Sequence, residues 1–155
     1  MNLLLMRHAQ AEGASESVSD HDRQLTVRGR EVASRIATVL LEGQIVPGLI
    51  LVSPAARARQ TVELMLPVLG DVKVKVVKSL YLASPMTILE VIHKHGGGAD
   101  PLLIVGHNPG LETTISNIAG NIVPFPTAAI AHASIVANQS SEVVAVWRPD
   151  ELPAG

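Results

Sequence analysis

Four residues of this chain stand out for the chemistry that their types and surroundings allow: Arg7, His8, Arg57 and His107. Arg7 and His8 are adjacent at the end of Asn2–Leu3–Leu4–Leu5–Met6, whose continuous apolar run reads as a strand buried on both faces. Arg57 lies a few residues beyond a second such run, Leu49–Ile50–Leu51–Val52. His107 follows a third, Leu102–Leu103–Ile104–Val105, with Gly106 between. A guanidinium grips phosphate oxygens bidentately and never loses its charge. An imidazole is the side chain that changes charge near neutral pH. Two of each, with no carboxylate inside the same motifs, describe a pocket for a dianion.

That pocket requires the three strands to end on one rim. Buried apolar strands alternating with helical segments are the pattern of a parallel sheet, and ligands in such sheets sit outside the carboxyl ends of the strands. A helix is predicted from Thr26 as N-cap, with Val32, Ile36, Val39 and Leu40 on one face, ending at Gly43 and Pro47–Gly48. A second carries Val62, Met65, Leu66 and Leu69 inward and stops near Gly70. Arg57 and Arg59 fall in its first turn or just before it, where cations oppose the helix dipole; a local rule broken in this way tends to mark a site. A third runs from Met86 to His95 with Ile88, Leu89, Val91 and Ile92 buried, and His93 and His95 read as cations favoured at its C-terminus. A fourth begins near Leu111. Val72–Lys73–Val74–Lys75–Val76 alternates, valine inward and lysine outward, as in an edge strand guarded against further pairing. Thr127–Val136 and Val143–Trp147 read as an antiparallel hairpin. The expected fold is a three-layer α/β/α sandwich over residues 1–155, a single domain with a mostly parallel central sheet and a C-terminal antiparallel hairpin.

Composition narrows the classes of partner. Tyr81, Phe125 and Trp147 are the only aromatics and the net charge is −2, so neither a stacking platform nor a basic field points to nucleic acid. The absence of cysteine removes thiolate catalysis and disulfides. The apolar start is shorter than a secretory core and no run approaches a membrane span, which leads to the expectation of a cytoplasmic protein without a membrane partner. No short-spaced ligand pair anchors a metal, and no cofactor is expected. Between Gln10 and Gln24 lies a polar loop without periodicity; a connection of this length beginning beside the strand end reads as functional. His132, between alanines on a strand, reads as structural.

The residues also carry a family resemblance. Arg7–His8–Ala9, Ser53–Pro54–Ala55–Ala56–Arg57–Ala58–Arg59–Gln60–Thr61 and Gly106–His107–Asn108–Pro109–Gly110, in that order, resemble the histidine phosphatase (phosphoglycerate mutase-like) superfamily. Arg23–Gln24–Leu25–Thr26 with Gly29 resembles its small SixA-type phosphohistidine phosphatase branch. The resemblance implies His8 as the nucleophile, passing through a phosphohistidine intermediate, with Arg7, Arg57 and His107 holding the phosphoryl oxygens. Arg23 and Asn108 would contact phosphate or substrate. The implied partner is a protein bearing phosphohistidine, or a small phosphorylated molecule, with phosphate as product.

Two departures bear on the substrate. Ala9 stands where the superfamily more often has glycine. Ser79–Leu80–Tyr81–Leu82–Ala83–Ser84–Pro85 lacks the glutamate acid of phosphoester-cleaving relatives. An alkoxide leaving group needs a proton, whereas phosphorylated imidazole protonated on its far nitrogen leaves as neutral imidazole, a good leaving group for a base of pKa ~6.5. The missing acid favours P–N substrates, unless Glu12, Asp20, Asp22 or Glu112 folds in to replace it. The short chain lacks insertions to roof the site, so an open, shallow site is expected. The alternatives are a phosphatase for small phosphoesters and a non-catalytic phosphate or phosphoprotein binder.

Overall fold

The computed structural model describes residues 1–153. Six strands, β1 (Asn2–Arg7), β2 (Leu49–Val52), β3 (Lys73–Val76), β4 (Leu102–Gly106), β5 (Ile130–Ser134) and β6 (Glu142–Trp147), form one sheet in the order β3-β2-β4-β1-β5-β6. The first four are mutually parallel; β5 pairs antiparallel with β1, and β6 antiparallel with β5. Four helices, α1 (Val27–Glu42), α2 (Ala56–Leu69), α3 (Pro85–His95) and α4 (Gly110–Ala119), cover the two faces. This is the expected three-layer α/β/α arrangement with its antiparallel hairpin.

The apolar runs are continuous because both faces of the central strands are covered. Leu4, Met6, Ile50, Val52, Leu103 and Val105 pack under α1 and α2 with Val32, Ile36, Leu40, Val62 and Met65. The alternate residues Leu3, Leu5, Leu51, Leu102 and Ile104 pack under α3 and α4 with Ile88, Val91, Leu111, Ile115 and Phe125. Helix ends follow local chemistry. The Thr26 hydroxyl accepts from the Gly29 amide at 3.0 Å, and the Ser84 hydroxyl accepts from Thr87 at 3.2 Å; such caps stabilise a helix by ~1 kcal/mol each. α2 ends at Gly70 (φ +92°) and α4 at Gly120 (φ +77°), where the left-handed backbone favours glycine.

Four expectations are corrected. Val74 and Val76 are 40% and 49% exposed, because β3 is the outermost strand and lies beyond the core face of α2. Leu89 is exposed: Ile88 and Val91 turn toward the sheet, and a residue between them in sequence projects to the other side of a 3.6-residue helix. Thr127–Ala129 is a turn rather than strand. The Ala128 amide meets the carbonyls of Arg7 (3.1 Å) and His8 (2.9 Å), and the Arg7 amide donates to Ala129 O (3.0 Å). This turn clamps the end of β1. His95 is no helix-end cation either. It accepts from Lys75 Nζ at 2.9 Å, and desolvation together with Lys75 and Lys94 pushes it below the usual histidine range. His132 is structural as expected, bonded to Asn2 Oδ1 at 2.9 Å.

Candidate active site

Register brings the strand ends level. Met6 and Val52 both pair with Val105, and Arg7 pairs with Gly106. The ladder continues one step further: the His8 amide donates to Gly106 O (3.1 Å) and the Ser53 amide to Val105 O (3.1 Å). His8, Ser53 and His107 therefore leave the sheet side by side, and the His8 and His107 rings lie 5.2 Å apart between centroids. Arg57 reaches them from the first turn of α2. It is 2% exposed, the largest fully buried side chain.

Arg57 is the hub. Its Nε donates to His8 Nε2 (3.3 Å), and its far nitrogens donate to His107 Nδ1 (3.3 Å), to Asp20 O (2.6 Å) and to Asp20 Oδ2 (3.2 Å). These bonds fix both tautomers. Ala9 O, 2.8 Å from His8 Nδ1, can only accept, so His8 carries its proton on Nδ1 and its lone pair on Nε2. A guanidinium can only donate, so His107 accepts on Nδ1 and offers Nε2–H to Ser53 Oγ at 2.7 Å. Both rings are buried and held neutral. Desolvation, then Arg57 and Arg7, lower His8 to about 4; desolvation, then His8 and Arg57, lower His107 to about 3.

Thr61 ties the two halves together. Its hydroxyl donates to Arg57 O (2.7 Å) and accepts from the Ala9 amide (3.0 Å), joining α2 to the residue after the nucleophile candidate. Arg7 donates to Phe125 O (3.3 Å), while its buried Nε–H has no protein acceptor among the described residues. A buried donor of this kind is costly unless an anion meets it. Two glycines allow close approach around the site. A Cβ on Gly29 would lie 2.1 Å from Gln10 O, and one on Gly110 would lie 1.9 Å from Ala83 O. The starts of α1 and α4 thus abut the segments that follow His8 and Tyr81.

The polar loop folds over this rim. A 3₁₀ turn, Asp20–Asp22, delivers the Asp20 carboxylate to Arg57, to the Tyr81 hydroxyl and to Arg23 Nε (3.1 Å). Hydrogen bonding from Tyr81, with the charges of Arg57 and Arg23, holds this carboxyl below its usual range. Tyr81 stands edge-on to His107, with ring centroids 5.5 Å apart. His8 and His107 are only 6% and 3% exposed, so the site is roofed rather than open, and the roof comes from this loop and Tyr81. Of the other acid candidates, Glu112 accepts from the Phe125 amide (2.8 Å), and Asp22 is exposed and bonded to Ser19. Glu12 is exposed. Arg23 lies in the loop, paired with Asp20 by charge and donating to Glu12 O (3.1 Å). The Asn108 side chain is spent on backbone, donating to Phe125 O (2.7 Å) and accepting from the Glu112 amide (3.2 Å).

Fold and site together define a buried histidine–arginine centre at the strand ends of an α/β/α sandwich. The family model of the histidine phosphatase superfamily (branch 1) matches residues 3–81, and the chain belongs to that superfamily. An uncharacterized protein of Mycobacterium tuberculosis is 33% identical over 138 residues, 81% of this chain and 84% of that one. A protein of Agrobacterium tumefaciens, provisionally named the phosphohistidine phosphatase SixA, superposes with a TM-score of 0.86 at 28% identity, over 96% of this chain and 97% of that one. A similarly named protein of Nakamurella multipartita superposes with a TM-score of 0.83 at 26% identity, over 96% and 95%. In size and fold the chain is of SixA type, and its family supports phosphatase activity. No described helix is long and apolar enough to cross a membrane.

Proposed function

We propose that the protein is a phosphohistidine phosphatase in which His8 Nε2 takes the phosphoryl group from a phosphorylated imidazole and then yields it to water. The lone pair on Nε2 forms the new N–P bond as the substrate P–N bond breaks, and that electron pair returns to the departing imidazole. Arg7 and Arg57 donate to the phosphoryl oxygens, each such donor being worth ~10²–10³ in rate, and His107 joins them once the dianion has drawn Arg57 away from its Nδ1 and that nitrogen has taken up a proton. The orphaned Arg7 Nε–H and the far nitrogens of Arg57 suit oxyanions. Arg23 borders the site through Asp20, and Asn108 shapes the loop that holds Phe125 O against Arg7.

One observation carries the choice of substrate. Among the described residues, the carboxylate touching the anion-gripping side chains is Asp20, and its bonds from Tyr81 and Arg57 keep it ionised. An ionised carboxylate cannot protonate the alkoxide of an ester, whereas a phosphorylated imidazole needs no such donor. Turnover of free phosphohistidine and of an alkyl phosphate, at equal concentration, tests the reading. A clear preference for phosphohistidine is expected; a preference for the alkyl ester would overturn it in favour of a small-phosphoester phosphatase. Tight phosphate binding with no turnover of either would make the protein a binder.

A further inference from the structure

Asp20 has no place in the chemistry described so far, yet it occupies the same guanidinium as the two histidines. Arg57 is a rigid planar fork. Its Nε end meets His8 Nε2, and its opposite end meets the Asp20 carboxylate. His8 and the Asp20 carboxylate are thus bonded to the two ends of one guanidinium, and an oxyanion that binds Arg57 meets both. Asp20 Oδ2 also accepts from Tyr81, and the carboxylate faces Arg23. When phosphoryl oxygens take over the far nitrogen of Arg57, Asp20 loses one donor and keeps Tyr81 and Arg23, so it remains at the mouth of the site with an acceptor position free.

We infer that Asp20 determines specificity by accepting the far N–H of the departing imidazolium, so that the two rings exchanging the phosphoryl group are held alike, His8 by Ala9 O and the substrate ring by Asp20. The inference rests on the phosphohistidine reading and names the residue that enforces it. The proton balance closes without an acid. The substrate enters as an imidazolium with hydrogen on its far nitrogen; the P–N electron pair returns to the near nitrogen; the ring leaves neutral with the same far N–H. His8 acquires the positive charge, its Nδ1–H still on Ala9 O. An ester offers Asp20 no N–H, and meets the carboxylate only as a competitor for Arg57.

The test uses Asp20→Asn and Asp20→Glu against free phosphohistidine and an aryl phosphate, whose leaving group needs neither acid nor acceptor. For Asp20→Asn, kcat/KM on phosphohistidine is expected to fall roughly 10- to 100-fold, the size of one charge-assisted hydrogen bond lost from a transition state. On the aryl phosphate it is expected to rise about 2- to 5-fold, since removing a competing anion frees a donor of Arg57. The alkaline limb of phosphohistidine turnover should move to lower pH, because the carboxylate holds the substrate's proton. Asp20→Glu should restore most of the phosphohistidine rate. Rates on both substrates moving in one direction, no change on either, or an unmoved alkaline limb would overturn the role. The wild-type preference between phosphohistidine and an alkyl phosphate reports on the phosphohistidine reading itself, so the two failures are distinguishable.

Discussion

The site has two halves built on different physics. One half, Arg7, His8, Ser53, Arg57 and His107, comes from the ends of three parallel strands and the first turn of α2, with both histidines and Arg57 almost fully buried. The other half, Asp20, Arg23 and Tyr81, comes from a polar loop and the segment before α3, and the Asp20 side chain is 46% exposed. Backbone register and a packed core fix the first half. The second half is held by hydrogen bonds among its own side chains and Arg57, so it can yield to a ligand while the first cannot. Rigid chemistry beneath a displaceable anion is the arrangement expected of a site that must recognise a phosphoryl group before admitting it.

Substitutions should separate the halves. In the rim, His8→Ala should abolish turnover, and His107→Ala should slow it ~10²–10³-fold while leaving measurable phosphate binding, as read by steady-state rates and phosphate titration. Equal, mild losses from the two would remove the distinction between nucleophile and oxyanion partner. Next in size, Gly29→Ala should destabilise the fold by several kcal/mol, because its Cβ would lie 2.1 Å from Gln10 O and the start of α1 would have to lift. Chemical denaturation checks this; unchanged stability would show that the close approach is dispensable. In the loop half, Tyr81→Phe should change turnover only a few-fold, since Arg23 still pairs with the Asp20 carboxylate and Arg57 still donates to Asp20 O. A loss as large as that of His107→Ala would place Tyr81 in the rigid half.

Both halves stand apart from a stability dependence confined to acid pH, which belongs to the buried histidines. His8 and His107 titrate near 6.5 when unfolded but at about 4 and about 3 when folded. Below pH 6.5 the unfolded chain binds more protons, so stability should fall as pH drops from about 6.5 toward 3 and change little from these residues above 6.5. His107→Asn, measured by thermal unfolding across this range, should flatten the slope. An unchanged slope would show that His107 is not buried neutral.

The same division explains what the sequence disclosed. The rim was legible because buried parallel strands are continuous apolar runs and their ends must converge, and because three motifs in order resemble one superfamily. The Thr26 cap and the boundaries of β2 were legible from capping and termination chemistry alone. The loop half was not. Asp20 appeared only as one of several carboxylates able to fold in, and the chain's single tyrosine carried no local signal of where its hydroxyl would point. Ser53 and Thr61 stood inside a recognised motif, but their bonds to His107 and to Ala9 depend on register and on helix placement, which no spacing encodes. The valines of β3 and Leu89 were misread because periodicity reports which face a residue is on, and the breadth of the neighbouring layer decides whether that face is covered.

The central claim is that His8 Nε2 accepts the phosphoryl group. Rapid mixing with phosphorus-labelled phosphohistidine, followed by a denaturing alkaline quench that preserves P–N bonds, measures it directly. Label is expected on the protein, at His8 and lost in His8→Ala, forming before free phosphate appears. Phosphate released at the full steady-state rate with no label ever on His8 would contradict the account.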